Sequence, residues 1–250
     1  MYPTFFRIGT FEVTSFGVMV AIGALVGLWV FGRELSRSRL PTSGSDAAMA
    51  GVFGGLVGAK LLWVVEHLGE SPFKDLLLSR GGMSWFGGLV GGVATALVFM
   101  RRLRLPVLAT LAAATPALAI GHAIGRIGCF LVGDDYGRPT DLPWGVAFPR
   151  GLPPTDMRVH PTQLYEMAAL LFVSWLLIRW RRHGVADAIV LGRYLVLAGA
   201  IRFAIEFIRV NERILGPLTL AHLVSLALVI AGVALLAASR ASGDLSPQAR

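Results

Sequence analysis

Seven apolar stretches, each near the roughly 20 residues a helix needs to cross a bilayer, dominate this chain: residues 15–32, 47–65, 83–100, 107–124, 164–180, 187–205 and 218–238. In 250 residues, 55% hydrophobic and only 15% charged, a soluble core could not hide that many. The expected fold class is therefore all-α: a polytopic membrane protein with about seven transmembrane helices and a folded external loop region. Residues 1–250 read as a single integral membrane domain, with no soluble domain, long linker or low-complexity tract, and only the tail from Ser239 to Arg250 looks disordered. Little positive charge precedes the first run, and Gly32-Arg33-Glu34-Leu35-Ser36 follows it in place of a small-residue cleavage site. It is therefore expected to remain as a span and not to act as a signal peptide.

Short loops rich in Arg tend to stay in the cytoplasm. Arg33/Arg37/Arg39, Arg101/Arg102/Arg104 and Arg179/Arg181/Arg182 lie in three short loops separated by two spans each, so all three are expected inside, along with the Arg240 end. The N-terminus and the long 125–163 connection then fall outside. The net charge of +8 reflects this topology and anionic headgroups, and points away from a nucleic-acid partner.

Five of the runs contain or touch an ionisable side chain: Lys60, His122, Glu166, Arg193 with Arg202, and His222. Such residues are costly in a membrane and mark candidate sites. The densest stretch is Gly125-Arg126-Ile127-Gly128-Cys129-Phe130, followed by Gly133-Asp134-Asp135-Tyr136-Gly137-Arg138-Pro139-Thr140. Arg126 cannot shed its charge, and its planar fork suits a phosphate; the alternative is an interhelical pair with Glu166 or Glu206. On a continuous helix His122, Arg126 and Cys129 share a face, with His122 either a hydrogen-bonded core residue or a catalyst. Cys129, the sole cysteine, cannot form an internal disulfide and is either a small buried residue or a substrate contact. The 133–140 segment reads as a tight turn. Its two aspartates lack a neighbouring His or third carboxylate and are expected to pair with Arg126 or Arg138, so no metal is expected.

Arg202, Glu206, Arg209 and Arg213 are spaced by four, three and four, which on a helix makes one stripe. For Arg209 and Arg213 an ion-pair ladder at a helix end would suffice; Arg202 and Glu206, deeper in apolar sequence, need partners. In His160-Pro161-Thr162-Gln163-Leu164-Tyr165-Glu166, Glu166 is placed in the first turn of the fifth span, where a carboxylate suits the positive helix end. Capping alone would explain it, yet His160, Gln163 and Tyr165 gather with it at the depth of Arg126. Gly51/Gly54/Gly55/Gly58 and Gly87/Gly88/Gly91/Gly92 have the spacing that lets membrane helices pack closely. The segment Gly81-Gly82-Met83-Ser84-Trp85-Phe86-Gly87-Gly88 could also leave room for a lipid.

Taken together and in order, the segments Arg126–Phe130, Gly137-Arg138, His160–Glu166 and Arg202–Arg209 resemble the signature of the bacterial prolipoprotein diacylglyceryl transferase family. The resemblance spans most of the chain. It implies transfer of a diacylglyceryl group from phosphatidylglycerol to the lipobox cysteine thiol of a preprolipoprotein, forming a thioether and releasing glycerol phosphate. The partners it implies are phosphatidylglycerol, the lipobox segment of the signal peptide and membrane lipids, with no cofactor. Arg126 and Arg202 would hold the charge of the leaving phosphate, and His160 and Glu206 are candidates for promoting the thiolate. Gly128, Cys129, Asp134, Gly137, Arg138, Gln163, Tyr165, Glu166 and Arg209 complete the implied binding set. The chain departs from the family pattern at Cys129, where Asn is typical, at Asp134-Asp135, where a single Glu is common, and at Phe86 and Phe16, where His or Tyr and Tyr are frequent. A relative that binds phospholipid without this activity is the first alternative. A small-solute transporter is the second, disfavoured by the lack of an internal repeat.

Overall fold

The computed structural model describes residues 3–9, 11–79, 82–211 and 213–241. Gly81 and the tail from 242 therefore lie outside the described residues. Among the described residues, seven helices of 18 or more residues stand close to the expected runs: α1 Ser15–Arg37, α2 Gly44–Glu66, α4 Trp85–Arg102, α5 Val107–Val132, α6 Thr162–Arg182, α7 Asp187–Glu206 and α8 Leu220–Ala241. The short α3, Phe73–Leu78, lies between α2 and α4. Among the described residues α1, α2, α5, α7 and α8 are long and apolar enough to cross a membrane. The other two are diluted, α4 by its glycines and paired arginines and α6 by Gln163, Glu166 and three basic residues in its last turn.

The chain divides into two compact units, one of residues Phe31–Thr110 and one of Met1–Val30 with Leu111–Arg250. In the first unit α2 and α4 run antiparallel with their glycines face to face. A Cβ on Gly91 would stand 2.5 Å from the Gly54 carbonyl oxygen and 3.0 Å from Gly58 Cα, and Gly58 and Gly87 block each other in the same way. These glycines let two backbones touch, which is what joins helices where burial of apolar surface gives no net drive. The space beside Gly82 is taken by the Trp63 ring, beside Gly87 by Gly58 and beside Gly88 by Ala59, so the room expected for a lipid is filled by α2. Gly91→Leu should cost about 1–3 kcal/mol of stability, the usual penalty for overpacking. Thermal unfolding in detergent should show it, and an unchanged midpoint would mean the helices part without cost.

In the larger unit the same device recurs twice, pairing Gly23 of α1 with Gly121 of α5 and Gly192 of α7 with Gly232 of α8; a Cβ on Gly23 or Gly232 would lie 2.9 or 2.7 Å from the opposing carbonyl. Ala112, Ala119, Val173, Leu177 and Val190 form a buried cluster of α5, α6 and α7. Pro116 inside α5 has no N–H for the Ala112 carbonyl, and in a membrane such a group must find another donor. The Thr115 hydroxyl donates to Ala112 O at 2.9 Å, and Ser174 of α6 donates to Pro116 O at 3.0 Å.

Two small antiparallel pairs, unanticipated from hydropathy, belong to this unit: β1 Thr4–Ile8 with β2 Phe11–Thr14, and β3 Val146–Phe148 with β4 Thr155–Val159. The 133–140 turn is laced to its surroundings through backbone: Gly137 N–H donates to His160 O (2.9 Å), Arg138 N–H to Ile208 O (2.8 Å) and Thr140 N–H to Arg158 O (2.9 Å). A Cβ on Gly137 would lie 2.7 Å from Ile208 O, so only glycine lets this strand of loop through.

Candidate functional site

Four helix ends of the larger unit converge on one polar cluster: the C-terminal ends of α5 and α7 and the N-terminal ends of α6 and α8. From α5, which continues through Gly125 to Val132, come His122, Arg126 and Cys129, one turn apart on a shared face. From α6 comes Glu166. Arg202 and Glu206 come from the last turns of α7, and Arg209 lies just beyond.

Glu166, 2% exposed, stands among the cations. Its Oε2 lies 2.9 Å from Arg126 Nε and 3.9 Å from Arg202 Nη1, and its Oε1 lies 3.5 Å from His122 Nε2. It begins one turn into α6 and not in the first turn, so these side chains, and not the helix end, satisfy it. Glu206 divides its two oxygens. Oε1 accepts hydrogen bonds from Asn211 Nδ2 at 2.7 Å and the Thr219 hydroxyl at 2.6 Å, while Oε2 faces Arg202 Nη2 at 2.6 Å and Arg209 Nε at 4.0 Å. Asp135 is clasped between Arg126, 2.9 Å away, and Arg209.

The expected single helical stripe from Arg202 to Arg213 does not form. α7 stops at Glu206, and Arg209 reaches Asp135 because residue 209 instead bridges to Gly137 in extended conformation; Arg213 is exposed. Asp135 itself sits at φ +63°, a conformation Asp tolerates better than most residues, and this turns its carboxylate back between the two guanidiniums.

Three guanidiniums thus meet three carboxylates, and the cluster is close to neutral. Its geometry is unfinished. Arg126 Nε, Arg202 Nη1 and Arg209 Nε are buried within ion-pair reach of a carboxylate but out of hydrogen-bond alignment, and Glu206 Oε2 and Gln163 Oε1 are likewise without a hydrogen bond. Buried N–H groups are rarely left so. Donors aimed at one cluster from three arginines suit an anion with several acceptor oxygens.

Burial pushes the Asp135 carboxyl up, but Arg209 and Arg126 outweigh it and hold it below the usual carboxylate range. Burial and the neighbouring Asp135 charge push Asp134 up. A folded pKa below the unfolded one stabilises above the ordinary carboxylate value of about 3.9 and ceases to do so as pH falls through the lowered value. Asp135→Asn keeps the backbone conformation and should cost stability at neutral pH but progressively less in acid. A pH-independent difference would contradict the clasp.

Other expected site residues are placed as follows. Gln163 donates through Nε2 to Asp134 O and the Thr162 hydroxyl donates to Asp135 O at 2.7 Å, so both hold the turn's backbone. Trp144 Nε1 donates to the Tyr165 hydroxyl at 2.7 Å, which lies 3.3 Å from His160 Nδ1; this network is linked to the arginine cluster through the loop backbone. Gly128 packs on α1, where a Cβ would meet Met19 and Phe16 at 3.1 and 3.2 Å. Arg138 joins through its main chain, its side chain being exposed. Cys129 is buried, with Arg126 Nη1 3.7 Å from its sulfur. Its Sγ and carboxylate oxygens of Asp134 and Asp135 lie within 4.8 Å of one another, and both oxygens of Asp135 are already engaged by arginines.

Thr219 and Asn211 were missed as partners of Glu206, and His222 as the partner of Thr219. Thr219-Leu220-Ala221-His222 has the hydroxyl at the start of a helix that signals a cap, with His where Glu or Gln is usual at the third position.

The family model described as prolipoprotein diacylglyceryl transferase matches residues 3–238. Among curated proteins, one from Chromohalobacter salexigens is 34% identical over 95% of this chain and 92% of its own length. One from Geobacter sulfurreducens is 30% identical over 92% of each, and one from Clostridium tetani is 29% identical over 93% of this chain and 96% of its own. All three bear the name phosphatidylglycerol–prolipoprotein diacylglyceryl transferase.

Proposed function

The chain belongs to the prolipoprotein diacylglyceryl transferase family, a multi-pass bacterial membrane protein, and we propose that it transfers the diacylglyceryl group of phosphatidylglycerol to the lipobox cysteine of preprolipoproteins. The observation that carries this reading is the set of three guanidiniums, Arg209 buried and Arg126 and Arg202 half-buried, each with one buried donor out of hydrogen-bond alignment. Phosphatidylglycerol offers a phosphodiester, whose oxygens match those donors. In the reaction the substrate's sulfur attacks the glyceryl carbon, a C–S bond forms, and the C–O bond to phosphate breaks. The electron pair leaves with glycerol phosphate, and the thiol proton is lost to a base. Arg126 and Arg202 bind the phosphate and hold its charge as it departs, where scarce water makes fixed donors most effective. Glu166 and Glu206 offset the repulsion between the guanidiniums that they bridge. Glu206, whose Oε2 is ion-paired to Arg202 without an aligned hydrogen bond, and His160 are the candidates for taking the proton.

Seven spans in one membrane domain, with the N-terminus outside and the C-terminus cytoplasmic, belong to the same proposal. In support, the ends of α5, α6, α7 and α8 that form the cluster all then lie on the outer side, opposite the short Arg-rich loops. A reporter fused after Arg240 should be active only in a form that works in the cytoplasm; activity confined to the exterior would reverse the orientation.

The function is tested by producing the chain in a bacterium whose own transferase is repressed. Restored lipid labelling of its lipoproteins is expected. Absence of labelling, with the protein present in the membrane, would favour a phospholipid-binding relative that has lost the reaction.

A further inference from the structure

Beside the arginine cluster, the start of α8 forms a reciprocal cap. The His222 N–H approaches the Thr219 hydroxyl oxygen at 3.4 Å, and His222 Nδ1 accepts from the Thr219 N–H at 3.1 Å. Accepting that bond requires a lone pair on Nδ1; Nδ1 also lies 3.1 Å from the Thr219 hydroxyl oxygen, and Nε2 is buried without a hydrogen bond. His222 is 2% exposed, and the Phe203 and Phe207 rings meet it edge-on at 4.9 and 4.6 Å. With His222 serving the backbone of Thr219, the hydroxyl hydrogen of Thr219 is free for Glu206 Oε1, where it makes a 2.6 Å bond in a fully buried place.

From this geometry we infer that Thr219 and His222 are positioning residues that act through Glu206 to keep Arg202 available to an anionic headgroup. The inference rests on the reading of this cluster as the phosphatidylglycerol site. Oε1 of Glu206 is held by Thr219 and Asn211, so only Oε2 is left for Arg202, which it meets at Nη2. Arg202 Nη1 stays buried without a hydrogen bond. Were Oε1 released, the carboxylate could turn both oxygens onto the guanidinium, the bidentate arrangement that such pairs favour, and the donor meant for phosphate would be consumed. The helix cap thus restrains an ion pair from closing on itself.

The test uses the full-length protein in detergent, with binding of phosphatidylglycerol and of uncharged diacylglycerol read by native mass spectrometry, and thermal unfolding read on the same samples. Thr219→Val keeps the shape and removes the hydroxyl; it should weaken phosphatidylglycerol binding about tenfold, in line with loss of a hydrogen bond to a charged group, and leave diacylglycerol binding unchanged. Thr219→Ser should restore the affinity. His222→Gln completes the cap in its usual form and should bind within a few-fold of the parent, while His222→Leu should resemble Thr219→Val. Gly232→Ala, remote on the α7–α8 seam, serves as the control that lowers stability without changing headgroup affinity. Parent-like phosphatidylglycerol affinity in Thr219→Val, with or without loss of stability, would overturn the inference and leave an ordinary helix cap. Because binding is read and not turnover, the outcome stands even if the parent protein transfers nothing, a result that would count against the proposed function alone.

Discussion

Arg126→Lys should lose about ten- to a hundredfold in turnover, well beyond a surface exchange such as Arg182→Lys. The guanidinium spans two anions at once, with Nε 2.9 Å from Glu166 and Nη1 2.9 Å from Asp135, and that same Nε is a buried donor out of hydrogen-bond alignment. A lysine ammonium is a single point of charge on a flexible stem and cannot reproduce that fork. Losing one charge-assisted hydrogen bond costs about 1.5–3 kcal/mol, which appears fully in the rate if the bond tightens as charge develops on the departing phosphate. Steady-state kinetics with phosphatidylglycerol measures this. Parent-like turnover would return Arg126 to a purely structural pair with Glu166 and Asp135.

Removing Glu166 should have the largest effect on stability. Its carboxylate is 2% exposed and lies within 4.0 Å of Arg126, Arg202 and His122. Glu166→Ala leaves two guanidiniums near each other in a buried place with one counter-charge fewer. Breaking a buried ion pair by deleting one partner costs about 3–5 kcal/mol, so the variant should unfold at a clearly lower temperature than the parent protein. Added phosphatidylglycerol should recover part of the loss, since its phosphate supplies the missing negative charge and ligand binding stabilises the folded state. A midpoint equal to the parent's would show that water reaches and screens these arginines.

The helices were legible because hydropathy alone marks them: every expected run has a helix over it, and the paired glycine patches at residues 51–58 and 87–92 do meet. The helix ends were not. α7 stops at Glu206, though a spacing of three and four continues to Arg213, because spacing reports which residues would share a face if the helix ran on and says nothing of whether it does. The folded turn was also illegible in detail. Asp135 reaches two arginines only through a positive φ and a backbone bridge between Gly137 and Arg209, long-range facts that no local pattern encodes. Of the polar residues, Arg126, Arg202 and Glu206 stood out because charge in apolar sequence demands a partner. Thr219 did not, since a hydroxyl ahead of an apolar run reads as nothing more than a cap, and its second bond to Glu206 becomes visible only when α7 and α8 are brought together.

The most direct measurement of the central claim is the mass of a lipobox peptide after incubation with the purified protein and phosphatidylglycerol of defined acyl chains. The expected result is a mass gain equal to one diacylglyceryl group, held by a thioether on the cysteine, with one glycerol phosphate released per peptide modified and no gain when that cysteine is replaced by serine. An unmodified peptide in the presence of folded protein that binds phosphatidylglycerol would contradict it, and would make the arginine cluster a headgroup-binding site without the transfer reaction.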